Sequence, residues 1–75
     1  MKIEIFGKPN CPYCISAKNL LEIKQLGYEY IDFFDLDDEA QKKVRERAPS
    51  AGTFPIIFLE DTYIGGFNQL QSVFN

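Results

Sequence analysis

Two cysteines separated by two residues, Cys11 and Cys14, are the side chains of this sequence best suited to covalent chemistry. They lie between a short apolar run, Ile3 to Phe6, and a helical pattern that begins at once and runs to about Leu26. Backbone N–H groups at such a strand-to-helix junction point outward and stabilise a thiolate. We therefore predict that Cys11 is a nucleophile that attacks a disulfide sulfur and that Cys14 resolves the resulting mixed disulfide.

The residues around the pair favour a reactive thiol at Cys11. Helix N-termini and nearby cations lower a thiol pKa from about 8.5 to between about 3.5 and 7.5, and Lys8 lies just upstream as a second stabiliser. Pro12 suits the first helical position because its missing N–H costs nothing there. Cys14 falls on the apolar arc of the helix, so it is expected to face inward while Cys11 sits at the exposed end.

The composition limits the classes of function that the chain can have. Its 75 residues are enough for one domain, residues 1–75, and its net charge of -3 argues against nucleic acid or an anionic membrane as the main partner. The start, Met1 to Glu4, carries an acid within its apolar run and does not resemble a signal peptide, which predicts a cytoplasmic protein. Cysteines in that compartment are reduced, which favours catalytic thiols over a structural disulfide. Because the chain has two cysteines and no histidine, no metal is expected.

The elements that position the cysteines follow from apolar periodicity and turn residues. The pattern predicts the order βαβα followed by ββα, an α/β fold with a small mixed four-stranded sheet flanked by helices. Gly27 is expected to stop the first helix, Asn68 to cap the last one, and Leu70, Val73 and Phe74 to anchor it. The predicted strands are Lys2–Phe6, Tyr28–Phe34, Ile56–Leu59 and Thr62–Ile64, and the predicted later helices are Asp37–Arg47 and Phe67–Phe74.

Two further short stretches could contact a ligand. Thr53-Phe54-Pro55 leads into a buried strand, and a cis bond before Pro55 would turn the backbone groups of Phe54 outward for pairing with an extended peptide. Gly65-Gly66 precedes the last helix, so backbone there can approach a ligand closely and the helix N-terminus can bind a carboxylate. A glycine-rich turn without a ligand is the alternative explanation.

Taken together, Lys8-Pro9-Asn10-Cys11-Pro12-Tyr13-Cys14, Thr53-Phe54-Pro55 and Gly65-Gly66-Phe67-Asn68 resemble the glutaredoxin family over nearly the whole chain. The Cys-Pro-Tyr-Cys sequence is typical of dithiol glutaredoxins, and the length resembles that of short bacterial and phage members. The resemblance implies a thioredoxin-like fold, glutathione as reductant and co-substrate, and reduction of protein disulfides and glutathione mixed disulfides. It also implies a monomer that acts in electron transport and cell redox homeostasis, with ribonucleotide reductase as one recipient.

The resemblance assigns roles to residues of this sequence in addition to Cys11 and Cys14. Lys8 would attract the glycine carboxylate of glutathione, Tyr13 would lie beside its sulfur, and the backbone of Phe54, before a cis Pro55, would pair with its cysteinyl part. The γ-glutamyl end would be held by Gly66, Phe67 and Asn68, with Thr53 lining the same groove and Gln69 binding at the position where relatives pair with the glutamyl amine. Gln69 brings a hydrogen-bond acceptor but no charge, where many family members carry aspartate.

Two alternatives remain open from the sequence. The chain could be a glutaredoxin-like protein that is reduced by thioredoxin reductase, which the neutral Asn68 and Gln69 allow. It could instead be a module that binds an iron–sulfur cluster between two subunits through Cys11 and glutathione, although Pro12 stiffens the loop that would have to open. Ile15 is expected to lie off the buried arc, either as a partly covered helix residue or as an apolar contact for a protein substrate.

Overall fold

Four strands and three helices follow one another in the predicted order in the computed structural model, which describes all 75 residues. None of the three helices is long and apolar enough to cross a membrane. The elements are β1 (Ile3–Gly7), α1 (Pro12–Ile23), β2 (Glu29–Asp32), a 3-10 turn (Phe33–Asp35), α2 (Asp38–Arg47), β3 (Ile56–Leu59), β4 (Thr62–Gly65) and α3 (Phe67–Phe74).

The sheet has the strand order β2-β1-β3-β4, with β1 parallel to β2 and the other neighbours antiparallel. Side chains of a strand alternate between its two faces, so each central strand contributes to two cores. One core packs against α1 and α3, and the other packs beneath α2. The first comprises Ile3, Ile5, Ala17, Leu21, Ile57 and Leu70, and the second comprises Phe6, Phe33, Val44, Ala48, Ile56 and Phe58.

The register of the central strands brings distant parts of the chain to one end of the sheet. Phe6 of β1 lies opposite Ile56 of β3, so the loop that follows β1 and the segment that precedes β3 meet there. Gly65, at the end of β4, pairs with Ile57 and delivers the start of α3 to the same end. The two cysteines, Thr53–Pro55 and the start of α3 are therefore neighbours in space.

The end of α1 differs from the sequence expectation. The helix ends at Ile23 instead of running to about Leu26, and the left-handed residue that follows is Gln25, with φ of 58°, instead of Gly27. The Leu26 N–H donates to the Leu21 carbonyl at 2.9 Å, and the Gln25 N–H donates to the Glu22 carbonyl at 3.0 Å. These two bonds form a Schellman motif, which satisfies the last carbonyls of the helix.

The second strand and its sequel also differ from expectation. β2 ends at Asp32, and Phe33–Asp35 forms a 3-10 turn because the Asp32 carboxylate accepts a hydrogen bond from the Phe34 N–H at 2.9 Å. A short polar side chain that bonds its own backbone competes with strand pairing in this way. The aromatic run therefore leaves the sheet early, and its last ring, Phe34, is exposed.

Two expectations for the last helix were wrong. Its N-cap is Gly66, so Asn68 lies inside the first turn instead of capping it. Leu70 is fully buried and Phe74 packs against the first core, but Val73 is 51% exposed and does not anchor the helix. Val73 faces solvent because α3 presents one narrow face to the sheet.

The left-handed conformation of Gln25 generates a stability prediction. An L-residue pays roughly 1–2 kcal/mol for this conformation, whereas glycine adopts it freely but loses more chain entropy on folding. We expect Gln25→Gly to raise the free energy of unfolding by about 0.5–1 kcal/mol, measured by urea denaturation. The matched control is Lys24→Gly, where φ is -83° and glycine brings no relief, so the free energy of unfolding falls. Destabilisation by both substitutions would contradict the assignment.

Candidate active site

The two cysteines occupy the first turn of α1 and are joined by a disulfide. Cys11 is the N-cap, with extended backbone, and Cys14 follows one turn later. Their Cα atoms lie 5.2 Å apart, within the usual range for a disulfide. The Cys14 N–H donates a hydrogen bond to the Cys11 sulfur at 3.1 Å. When the disulfide is reduced, this donor and the positive end of the helix stabilise a thiolate on Cys11.

The expected contrast in exposure between the cysteines is only partly present. Cys14 is 1% exposed, as an inward-facing residue should be, but Cys11 is also buried, with 5% of its surface exposed. Cys11 borders a cavity of about 330 Å³, whereas Cys14 borders none of the described cavities. The expectation that Cys11 sits at an exposed end is therefore corrected. The cavity is lined by Lys8 and Asn10 of the preceding loop, by Tyr13 of α1, and by Thr53 and Phe54 of the facing segment.

A second cavity, of about 480 Å³, adjoins the first one. Tyr13, Gly52, Thr53 and Phe54 line both cavities, so the two form one continuous depression. Lys8 lines the smaller cavity beside Cys11. The remaining residues that the sequence resemblance associates with glutathione all line the larger cavity: Tyr13, Thr53, Phe54, Pro55, Gly66, Phe67, Asn68 and Gln69.

The floor of the larger cavity is formed where β3 and α3 begin. The Phe54–Pro55 peptide bond is cis, as the resemblance implied, and Pro55 is buried. A Cβ atom on Gly66 would lie 3.4 Å from the Pro55 carbonyl oxygen, so the two backbones approach closely. The first N–H groups of α3 have no partner within the helix, and no acidic side chain lies in its first turn. This floor therefore offers backbone donors to an anionic group.

One wall of the depression is formed by two stacked aromatic rings. The Tyr13 and Phe67 ring centroids lie 6.1 Å apart, with 28° between the ring planes. Tyr13 belongs to the first turn of α1 and Phe67 to the first turn of α3, so the stack joins the two helix ends that border the site. Tyr13 remains 63% exposed, which leaves its outer face free for a ligand.

Gln69 plays a local role that the sequence analysis missed. Its side-chain oxygen accepts a hydrogen bond from the Gly66 N–H at 2.9 Å. The same side chain covers Gly65, where an added Cβ atom would lie 2.6 Å from Gln69 Cγ and φ is +125°. A glutamine three residues after an N-cap is a known capping pattern, so the spacing of Gly66 and Gln69 could have revealed this bond. The Gly66 N–H is therefore already occupied.

Arg45 is a second residue that the sequence analysis did not connect with the site. Its guanidinium carbon lies 4.9 Å from the Phe33 ring centroid and 5.7 Å from that of Phe54. The Lys8 ammonium lies 5.8 Å from the same Phe54 ring. Because Lys8, Arg45 and Phe54 are far apart in the sequence, no local pattern could have indicated that they meet.

The groups with shifted pKa values lie outside both cavities. The hydrogen bond to Glu22 raises the pKa of Tyr28 to about 12, and burial raises the pKa of Tyr30. The bond from Lys2 lowers the pKa of Asp61. At the site itself, the electrostatic asymmetry comes from the α1 N-terminus and from cationic side chains, which favour a negatively charged sulfur.

The geometry predicts unequal reactivity of the two thiols. In the reduced protein at neutral pH we expect iodoacetamide to alkylate Cys11 at least about tenfold faster than Cys14, because Cys11 has the N–H donor and borders the cavity. Mass spectrometry of the two cysteine-containing peptides measures both rates. In the single variants, Cys14→Ser should retain a fast thiol and Cys11→Ser should leave a slow one. Equal rates would contradict the assignment of Cys11 as the nucleophile.

Comparison with known proteins identifies relatives over almost the whole chain. A family model described as Glutaredoxin matches residues 3–64, which include both cysteines and Thr53–Pro55. Glutaredoxin 1 of Rickettsia prowazekii is 37% identical over 68 residues, covering 91% of this chain and 72% of the relative. A probable glutaredoxin of Synechocystis is 43% identical over 73 residues, covering 96% of this chain and 65% of that protein.

Comparison with solved structures points to the same family. The structure of reduced Escherichia coli glutaredoxin superposes with a TM-score of 0.78 at 30% identity, covering 97% of this chain and 92% of that one. The fold is thus the thioredoxin-like arrangement that the resemblance implied, with a four-stranded mixed sheet and three helices.

Proposed function

The chain belongs to the glutaredoxin family of thiol–disulfide oxidoreductases, and on that premise we propose that it uses glutathione to reduce protein disulfides and glutathione mixed disulfides. The observation that carries the proposal is the continuous depression that begins at Cys11 and ends at the N-terminus of α3. It combines a thiol held at a helix start with backbone donors at its far end. A small peptide with a central cysteine and terminal carboxylates fits this arrangement.

The proposed reaction begins at Cys11. Its thiolate attacks one sulfur of the substrate disulfide, a new S–S bond forms, and the other substrate sulfur leaves as a thiolate. Cys14, whose N–H faces the Cys11 sulfur, then loses its proton and attacks that sulfur. The substrate leaves as a thiol and the Cys11–Cys14 disulfide remains. Two glutathione molecules reduce this disulfide in turn: the first forms a mixed disulfide, and the second releases it as oxidised glutathione.

The residues around the depression suggest how glutathione would lie. The Lys8 ammonium would attract the glycine carboxylate, and Tyr13 would cover the sulfur. The backbone of Phe54, before Pro55, would pair with the cysteinyl part. Thr53 would line the groove, while Gly66 would let the backbone approach and the first free N–H groups of α3, those of Phe67 and Asn68, would hold the γ-glutamyl carboxylate. Support for this pose comes from the adjoining cavities that these residues line.

The proposal extends to partners and location through the family resemblance. Disulfide-containing proteins, with ribonucleotide reductase as one of them, would be the recipients of electrons. The protein would act as a monomer in the cytoplasm. One observation favours a second electron donor: because Gln69 occupies the Gly66 N–H, the grip on glutathione is weaker than a free helix end would provide. Reduction by thioredoxin reductase is therefore the alternative, and separate assays with each donor distinguish the two.

Trapping the first intermediate tests the main proposal. We expect Cys14→Ser, incubated with oxidised glutathione, to gain the mass of one glutathionyl group on Cys11 and to retain it, because no resolving thiol remains. Intact-mass and peptide mass spectrometry locate the adduct. Cys11→Ser is the matched control and should gain none. If Cys14→Ser stays unmodified while a generic aromatic disulfide still reacts with it, the thiol is active and glutathione is the wrong partner.

Gln69 allows the proposed position of the γ-glutamyl carboxylate to be tested. Gln69→Ala frees the Gly66 N–H, and one additional net hydrogen bond of about 1 kcal/mol corresponds to roughly fivefold tighter glutathione binding. Gln69→Glu keeps an acceptor at the same place but repels the carboxylate, so we expect the KM for glutathione to rise. Gln71→Ala, on an exposed part of α3, is the control. A higher KM in Gln69→Ala would mean that Gln69 itself contacts glutathione.

A further inference from the structure

An exposed aromatic ring extends the active site beyond the two cavities. Phe34, in the 3-10 turn after β2, is 56% exposed, although aromatic side chains of this size are usually well covered. Its ring centroid lies 5.6 Å from that of Phe54 and 5.3 Å from that of Phe33. Because Phe54 also lines the cavity that holds Cys11, the surface is continuous from the reactive sulfur to Phe34.

Two cations flank the inner half of this surface. Lys8 and Arg45 approach the Phe54 ring to 5.8 Å and 5.7 Å. Neither takes part in the three ion pairs of the structure, which use Lys2 and Arg47. In a chain with a net charge of -3, this is a local island of positive charge beside the thiol. Arg45 stacks on aromatic rings without a carboxylate partner, so its charge remains available to a ligand.

The outer half of the surface has the opposite character. Asp32 and Asp35 border Phe34, and the Asp32 carboxylate is committed to the Phe34 N–H. An approaching acid is therefore directed toward Lys8 and Arg45, while an apolar group is directed toward Phe34. Glutathione carries carboxylates but no apolar side chain, so glutathione alone would leave Phe34 uncovered. An occupant that satisfies both halves is a longer polypeptide.

We propose that Phe34, Phe54, Lys8 and Arg45 form a docking surface for the polypeptide around the substrate cysteine, and that it selects segments carrying an acidic side chain next to an apolar one. The acid lies between Lys8 and Arg45, and the apolar side chain covers Phe34. The inference rests on the proposed reduction of protein disulfides and adds the chemistry of the preferred protein substrate. It assigns substrate selection to Arg45 and Phe34, neither of which borders the two cavities.

The experiment isolates the first chemical step from glutathione. In a Cys14→Ser background, the Cys11 thiolate attacks the cysteine sulfur of a short peptide that is disulfide-bonded to a small aromatic thiol. A new S–S bond forms between Cys11 and the peptide, the old S–S bond breaks, and the aromatic thiolate that leaves is measured by its absorbance. Three peptides share this leaving group and differ beside the cysteine: Asp with Leu, Lys with Leu, and Asp with Ser. Second-order rate constants are measured at low and at high salt.

We expect the Asp–Leu peptide to react about fivefold faster than the Lys–Leu peptide at low salt, and salt should reduce the ratio. Arg45→Met keeps an apolar stem over the rings and should remove most of this preference. Lys24→Met, at the far end of α1, makes the same change in net charge and should leave the preference intact. Phe34→Ser should slow the Asp–Leu peptide to the rate of the Asp–Ser peptide without changing the charge preference.

Three results would overturn the proposal. One is that the Cys14→Ser protein reacts with all three peptides at the same second-order rate constant. Another is an equal loss of preference in Arg45→Met and Lys24→Met, which would show that overall charge governs the rates. The third is a second-order rate constant that falls as the protein concentration rises, and that no longer does so in Phe34→Ser, which would identify a second copy of the chain as the occupant. If Arg45→Met unfolds, Arg45→Gln and the salt dependence of the Cys14→Ser protein test in its place whether Arg45 causes the preference for the acidic peptide. Failure of the glutathione proposal would be visible separately, as the missing glutathionyl adduct.

Discussion

The hydrogen bond from the Cys14 N–H to the Cys11 sulfur, 3.1 Å long, ties the chemistry of this protein to its backbone. The first N–H groups of a helix lack partners within it, and a serine, threonine or aspartate oxygen usually accepts from them. Here a sulfur takes that place, so α1 begins at the reactive atom. A thiolate accepts such a bond better than a thiol does, which couples the charge of Cys11 to the start of the helix. Ala17 and Leu21 hold that start in place by burying the helix against the sheet.

Around this helix end, the site is completed by pairing between strands. The antiparallel register of β1 and β3 sets Phe6 opposite Ile56, and it thereby brings Thr53–Pro55 to the loop that carries Cys11. The return of β4 beside β3 then brings the start of α3 to the same place. The depression therefore depends on contacts between residues more than forty positions apart in the chain, and a shift of register would separate its walls.

Local signals were sufficient for much of the fold and for the identity of the reactive residues. Apolar periodicity predicted the order of elements and the inward direction of Cys14 and Leu21, because those patterns act within one helix or strand. Two of the failures were also local in origin. Gln25 takes the left-handed position that glycine was expected to fill, and the Asp32 side chain ends β2 early. In each case a bond to the backbone decided the conformation, and residue type alone did not reveal it.

The sequence by itself determined that this chain carries a thiol pair at the start of a helix. One short segment contains both the spacing of Cys11 and Cys14 and the proline, Pro12, with which the helix begins. Only the tertiary structure decided how that pair is reached. It buried Cys11 and placed both Lys8 and Arg45 beside the Phe54 ring. These contacts join different elements, and their geometry depends on how strands pair and side chains pack, which no local pattern encodes.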